Sequence, residues 1–144
     1  MKILVSACLL GLRCRYDGRS RPDPAVLALG KDHTLIPCCP EQLGGLPTPR
    51  PPAEWREDRI VNAEGVDVTA QYRRGAKETL ALARAAGCRC AVLKEKSPAC
   101  GCGEIYDGSF TRRLIPGSGS AARALHAAGI PVLGESELDR LENL

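Results

Sequence analysis

The 144-residue sequence has little of what nucleic-acid-binding and membrane proteins require. It contains one Trp, three Tyr and one Phe, and its net charge is only +3. Extended nucleic-acid binding depends on many cationic contacts and on stacking aromatics, so it is disfavoured. No apolar run approaches the roughly 20 residues of a membrane-spanning helix. The composition, 44% hydrophobic and 26% charged, instead indicates one globular domain over residues 1–144.

The apolar N-terminal segment is too short for a secretory signal. Five residues separate Lys2 from Cys8, although the segment ends like a lipoprotein cleavage box. We therefore expect a cytoplasmic protein with reduced thiols and no membrane partner. Eight cysteines in that compartment indicate metal or redox chemistry rather than disulfides. Only His33 and His126 are present, and neither lies in a cysteine-bearing block, which disfavours a metal-free hydrolase.

Strand-like and helix-like segments alternate along the chain. Short apolar runs predict strands at residues 3–7, 34–36, 91–93 and 130–133. Helices are predicted at residues 25–30, 69–86, 117–128 and 136–144, and small hairpins around residues 62–65 and 107–108. Parallel strands need crossover connections, so this order predicts an α/β fold. We expect a single three-layer domain with an open, mainly parallel, Rossmann-like sheet and small hairpin insertions.

Three cysteines, Cys8, Cys39 and Cys100, each come shortly after a predicted strand. Ligands of open parallel sheets bind outside the carboxyl ends of the strands. The three thiols are therefore expected to converge there. A loop rich in proline and glycine, residues 44–52, follows Cys39 and is long enough to suggest a functional role.

Thiolates suit iron-sulfur clusters, zinc or copper(I), and ligand spacing helps to separate these. The pairs Cys88/Cys90 and Cys100/Cys102 have one intervening residue, fewer than paired zinc ligands usually have. The clustered cysteine run of ferredoxins is also absent. A cluster held by three thiolates would leave one iron open to a substrate, by analogy with catalytic zinc. A non-catalytic cluster or zinc protein, used in sulfur trafficking or redox sensing, remains the alternative.

The other cysteines are predicted to have lesser roles. Free cysteine is commonly a small buried hydrophobe, and this interpretation is preferred for Cys14, Cys38, Cys88 and Cys90. Cys102 is interpreted as a spare thiol or a transient sulfur carrier.

Polar residues near the cysteines are candidates for chemistry and binding. Glu41 stands two residues after Cys39 and is a candidate for proton transfer. Ser97, three residues before Cys100, is a candidate for positioning substrate or water. Arg50 suits an anionic substrate, and Ser118 lies at a helix start suited to phosphate.

Three ordered blocks of sequence, each with one cysteine, resemble the TudS-type thiouracil desulfidase family. The first is Val-Ser-Ala-Cys-Leu-Leu-Gly at residues 5–11, with Tyr-Asp-Gly at 16–18. The second spans residues 39–50, from Cys-Pro-Glu to Pro-Arg. The third spans residues 93–101 and contains Ser-Pro-Ala-Cys-Gly, with Tyr-Asp-Gly at 106–108. Ala99 replaces a serine expected from the family pattern, which removes one hydroxyl.

The resemblance implies a 4Fe-4S cluster bound by Cys8, Cys39 and Cys100, with one open iron. It further implies removal of sulfur from thiouracil or thiouridine monophosphate, giving uracil or UMP and sulfide, a reaction of nucleotide salvage. The implied partner is a small thiolated pyrimidine or its nucleotide; thiolated tRNA is disfavoured by the weak charge.

Further roles are predicted outside the cluster. Glu41 and Ser97 are the predicted catalytic residues. The predicted substrate-binding residues are Ser6, Gly44, Arg50 and Ser118.

Overall fold

A four-stranded parallel sheet organises the chain, and the computed structural model describes all residues 1–144. The strands and helices are, in order, β1 (Lys2–Ser6), α1 (Pro24–Ala28), β2 (Thr34–Cys38), α2 (Pro40–Leu43), β3 (Ala53–Arg56), β4 (Arg59–Asn62), α3 (Thr69–Ala86), β5 (Cys90–Leu93), β6 (Glu104–Tyr106), β7 (Leu114–Pro116), α4 (Ser120–Ala127) and β8 (Val132–Gly134). Short 3-10 segments occupy Ala7–Leu10, Leu29–Lys31 and Glu135–Asn143.

Both faces of the sheet are covered, which explains why its strands are almost continuously apolar. Ile3 and Val5 pack into one core with residues of α1 and the C-terminal 3-10 segment. Leu4 points to the other face, where α3, α4 and the β3–β4 hairpin form a second core. The predicted three-layer α/β architecture is therefore confirmed.

The strand order β2-β1-β5-β8 places a topological switch beside β1. The chain first moves from β1 to β2 on one side and then returns through α3 to β5 on the other. Ile3 pairs with Leu35 in β2 and with Cys90 in β5. At such a reversal the connections leave in opposite directions and open a crevice at the carboxyl ends of the strands.

Two local predictions were wrong. The first hairpin pairs β3 with β4, whereas the predicted partner segment after Gly65 contributes only one bridge, between Val61 and Asp67. Strand β3 was not predicted because two prolines, Pro51 and Pro52, directly precede it and are typical of irregular structure. The predicted C-terminal helix is a 3-10 segment with non-helical backbone at Glu137, whose carboxylate accepts from the Gly134 N–H. The second predicted hairpin, β6–β7, is confirmed.

The longest helix, α3, packs against α2 with almost no space between the two backbones. A Cβ on Gly75 would lie 2.0 Å from the Pro40 carbonyl oxygen, and one on Gly44 would lie 2.1 Å from the Gln71 oxygen. Glycine is required at both positions because a backbone oxygen cannot move aside as a side chain can. No helix in the protein, α3 included, combines the length and the apolar character needed to cross a membrane.

Gly75→Ala should destabilise the fold, although alanine is usually preferred to glycine within a helix. The added methyl group must push α2 away from α3, and such overpacking costs about 1–3 kcal/mol. Urea unfolding would measure this loss. Gly30→Ala is the control, because its Cβ would meet only the Leu35 side chain at 3.5 Å. Equal stability of the two variants would contradict the prediction.

Candidate active site

A cavity of about 590 Å³ opens beside the carboxyl ends of β2, β1 and β5. Its walls come from the loops after these strands, from β3 and from the β6–β7 hairpin. The predicted site residues that line it are Ser6, Cys8, Cys39, Glu41, Arg50, Ser97 and Cys100. Its volume falls in the range of small-molecule sites.

The structure brings the three predicted cluster cysteines to this one cavity. Cys8 lies in the 3-10 turn after β1, and Cys39 lies between β2 and α2. Cys100 lies in the loop that leaves β5. Adjacent parallel strands thus deliver thiols from distant parts of the sequence to the same edge of the sheet, as predicted. Their role as ligands stays a prediction.

Cys14 also lines the cavity, although the sequence had suggested a packing role for it. Its carbonyl accepts a hydrogen bond from the Cys39 thiol at 3.7 Å. The pKa of Cys14 is raised to about 11: a hydrogen bond with Cys39 lowers it, whereas a hydrogen bond with Cys8 and burial raise it. The position of Cys14 between Cys8 and the Tyr16-Asp17-Gly18 triplet was the signal that could have indicated this.

The remaining cysteines contribute less to the site. Cys38 lines the cavity, but its Sγ lies 3.5 Å from the Thr79 hydroxyl, and burial raises its pKa to about 11. The Cys102 thiol donates to the Val132 carbonyl at 3.6 Å, outside the cavity. Cys88 and Cys90 also lie away from it.

Ser97 fixes the backbone that carries Cys100. Its hydroxyl oxygen accepts from the N–H groups of Ala99 and Cys100, both at 3.1 Å. The hydroxyl proton has no acceptor within the protein, and Ser97 lines the cavity.

Trp55 supports the same loop from β3. Its indole N–H donates to the Pro98 carbonyl at 2.9 Å, and the Arg123 guanidinium lies 4.0 Å from the centre of its ring. The β3–β4 hairpin therefore braces the Cys100 loop.

Ser6 ties the end of β1 to the start of the loop after β5. Its hydroxyl accepts from the Lys94 N–H at 2.9 Å, and the residue is buried. Burial raises the pKa of the Cys100 thiol, and a hydrogen bond with Ser6 offsets part of that rise. Ser6 thus links two loops of the cavity wall and lines the cavity itself.

Glu41 lies in the first turn of α2, and both of its hydrogen-bond donors contact the same carboxylate oxygen. Its Oε2 accepts from the Arg50 Nε at 3.3 Å and from the Tyr72 hydroxyl at 2.5 Å. Oε1 receives no hydrogen bond from the protein, and Glu41 lines the cavity. One oxygen is therefore fixed while the other stays available to a water or substrate.

The Arg50 guanidinium forms most of its possible hydrogen bonds with other groups of the protein. Its side chain is only 3% exposed. Beyond Glu41, its guanidinium donates to the Pro47 carbonyl at 3.2 Å, the Thr48 hydroxyl at 3.0 Å and the Cys14 carbonyl at 2.9 Å. Burial lowers the pKa of Arg50, but the charge of Glu41 more than compensates, so the pKa is raised. These bonds favour a structural role over the predicted contact with an anionic substrate.

Two predicted substrate-binding residues lie outside the cavity lining. Gly44 faces α3, where its lack of a side chain permits the close approach of α2. Ser118 accepts from the Gly103 N–H at 3.4 Å and so belongs to the turn before α4. Both positions serve tertiary contacts that sequence patterns do not reveal.

The cavity rim carries unpaired cations. Arg21, Lys96 and Arg112 are exposed, line the cavity and form no ion pair within the protein. Lys96 and Arg112 have left-handed backbone, with φ of 69° and 62°. Such conformations are costly without glycine and concentrate at functional sites. The rim is suited to an anionic group.

Both Tyr-Asp-Gly triplets deliver their tyrosine to the cavity. In each triplet the aspartate side chain accepts from the N–H two residues later, and the glycine has positive φ, 76° at Gly18 and 92° at Gly108. The two turns are therefore alike locally. With Phe110, the tyrosines Tyr16 and Tyr106 supply aromatic surface for a flat ring.

The arrangement of thiols suits a cluster better than a single metal ion. No three His, Cys, Asp or Glu side chains are close enough together to bind one ion. A mononuclear zinc site needs three or four protein ligands on one metal, whereas each iron of a cluster takes one thiolate. Thiols spread around a cavity therefore fit an iron-sulfur cluster.

Fold and site together define the class: an α/β protein suited to hold a thiolate-ligated cluster at the edge of a parallel sheet. The chain belongs to the 2-thiouracil desulfurase family, whose model matches residues 3–137. The resemblance seen in the three sequence blocks is thereby confirmed.

Two relatives are similar over nearly the whole chain. The Bacillus subtilis (strain 168) protein named uncharacterized protein YbbK is 44% identical over 147 residues, which cover 95% of this chain and 97% of that protein. A solved structure of a 4Fe-4S-dependent thiouracil desulfidase, TudS, is 47% identical. It superposes with a TM-score of 0.91 and covers 98% of this chain and 95% of its own.

Proposed function

We propose that this protein is a 4Fe-4S-dependent desulfidase that removes sulfur from a thiolated uracil nucleotide, with Cys8, Cys39 and Cys100 as the cluster ligands. Membership of the 2-thiouracil desulfurase family and the similar TudS structure support the iron-sulfur-dependent thiouracil desulfidase class. The observation that carries the proposal is the convergence of three thiols on one cavity at the ends of β2, β1 and β5.

The net reaction needs water and no redox partner. One water supplies the oxygen that replaces sulfur at the ring carbon, and its two protons leave with the sulfur as hydrogen sulfide. When bound, the cluster would supply a Lewis-acidic iron with high affinity for sulfur. Glu41 accepts a proton from the attacking water through its free Oε1, and the Ser97 hydroxyl donates a hydrogen bond to the substrate.

The rim favours a nucleotide over a free base. A phosphate on the sugar would meet Arg21, Lys96 and Arg112 while the ring occupies the aromatic part of the cavity. The acidic side chains of the lining already have partners: Glu41 pairs with Arg50, Glu54 accepts from the N–H groups of Gly108 and Phe110, and Glu95 accepts from the Ser136 N–H. A free thiouracil would leave the cations without a partner.

Arg112→Gln should raise KM for 4-thiouridine monophosphate about tenfold, the cost of one hydrogen bond between charged groups. KM for 4-thiouracil should change less than about twofold, because the base lacks the phosphate. Steady-state sulfide release with both substrates provides the comparison. Arg113→Gln is the neighbouring control, since Arg113 is exposed and lies outside the cavity. An equal effect on base and nucleotide would contradict a phosphate contact.

The non-catalytic alternative predicts a closed site with all protein ligands in place. A cavity that also holds a carboxylate with a free oxygen favours catalysis. Thiolated tRNA would require a broader cationic surface than the net charge of +3 provides.

Anaerobic purification followed by iron, sulfide and zinc assays tests the proposal. The loaded protein is then incubated with 4-thiouridine monophosphate, 4-thiouracil or thiolated tRNA, and released sulfide is measured. We expect about four irons and four sulfides per chain, as the proposed cofactor requires, and the fastest release from the nucleotide. Zinc without iron, or a loaded protein inactive on all three substrates, would overturn the proposal.

A further inference from the structure

Tyr72 contacts the proposed catalytic carboxylate from within the protein core. It lies on α3, is only 2% exposed and does not line the cavity. Its hydroxyl donates to Oε2 of Glu41, the oxygen that also accepts from Arg50. Phenylalanine would fill nearly the same volume, so the hydrogen bond to Glu41 is the contribution that only tyrosine makes here.

We propose that Tyr72 is a positioning residue of the desulfidase, which together with Arg50 fixes Oε2 of Glu41 so that Oε1 faces the cavity. This inference rests on the proposed function, because it assigns to Tyr72 an effect exerted through Glu41. A glutamate has three rotatable bonds, and two donors on one oxygen restrict them to the orientation that presents the other oxygen.

The helix contact beneath the site makes this positioning rigid. Tyr72 lies three residues before Gly75, on the α3 face that meets Pro40 of α2. Glu41 follows Pro40 directly, so donor and acceptor are carried by two backbones in contact. The distance between the Tyr72 ring and Glu41 is therefore set by packing rather than by a mobile loop.

The phenol is a dependable donor in this environment. Burial raises the pKa of Tyr72, and the charge of Glu41 raises it further. The hydroxyl thus keeps its proton and can only donate to the carboxylate. Arg50 completes the arrangement because its guanidinium is itself anchored on the Cys14 and Pro47 carbonyls.

A double-mutant cycle tests whether Tyr72 acts through Glu41. The proteins are the wild type, Tyr72→Phe, Glu41→Gln and the double variant, each loaded anaerobically. Tyr72→Phe should lower kcat about tenfold with KM little changed, since one charge-assisted hydrogen bond is lost. In the Glu41→Gln background the same substitution should change kcat less than about twofold, because the residue it positions no longer takes the proton.

Cluster content and a matched variant control for structural effects. Rates are expressed per cluster, from the iron and sulfide content and the visible absorption spectrum, both expected to match those of the wild type. Thr79→Val removes another buried hydroxyl from α3 without touching Glu41 and should leave kcat unchanged.

The outcomes separate the two hypotheses. Full activity of Tyr72→Phe, or the same loss in both Glu41 backgrounds, overturns the positioning role while leaving the proposed function intact. Full activity of a loaded Glu41→Gln protein removes Glu41 from the proposed chemistry, and the role of Tyr72 falls with it.

Discussion

Serine in place of Cys8, Cys39 or Cys100 should remove the cluster and lower sulfide release by at least about 100-fold. Losing a direct ligand should cost more than losing an outer partner of a metal site, which already costs about 10–100-fold. The three positions lie on separate loops, so each substitution removes the only proposed ligand that its loop supplies. Iron and sulfide assays, the visible spectrum and turnover measure the loss.

Other cysteines provide controls and a test of the ligand set. Cys88→Ser and Cys102→Ser should keep both cluster and activity, because neither residue lines the cavity. Cys14→Ser and Cys38→Ser should keep the cluster although both residues line the cavity. A Cys14→Ser protein as poor in iron as Cys39→Ser would require a different ligand set.

Glu41→Gln should lower kcat by about 10²–10⁴-fold while the cluster stays bound, the range for loss of a general base. Glutamine keeps the shape of the side chain but is a far weaker proton acceptor. Because the proposed role belongs to the chemical step, KM should change little. Single-turnover rates with 4-thiouridine monophosphate and cluster content of the same samples give the measurement.

The matched control is Glu104→Gln, on the exposed side of β6 and outside the cavity. It should retain wild-type turnover. A Glu41→Gln protein with an intact cluster and undiminished turnover would contradict a role in proton transfer.

Much of the scaffold could be predicted because its signals are local. Helix α3 ends at Ala86, where Gly87 adopts the left-handed conformation that only a residue like glycine accepts readily. Apolar runs located the four parallel strands, since both faces of this sheet are buried. Strand ends then located Cys8 and Cys39, because topology determines which loops meet.

The features that could not be predicted depend on contacts between residues that are distant in sequence. Arg50 looked like a residue for an anionic substrate, but its partners Glu41 and Cys14 become neighbours only after folding. Cys14, which lines the cavity, and Tyr72, which donates to Glu41, likewise come close to the site only in the folded chain. Gly44 lies in the second of the three sequence blocks, yet glycine is required there because the backbone of α3 packs against it. The spacing of residues in the sequence does not reveal contacts of this kind.

Two parts of the cavity wall that carry thiols, the Cys100 loop and the segment at Cys14, are fixed by hydrogen bonds within the protein. Ser97 bonds the backbone at Cys100, Trp55 holds Pro98, and Arg50 holds the Cys14 carbonyl. Hydrogen bonds within the protein thus hold the backbone of these parts of the cavity wall in place. A substitution at Ser97, Trp55 or Arg50 would therefore alter the shape of the cavity without removing any of its thiols.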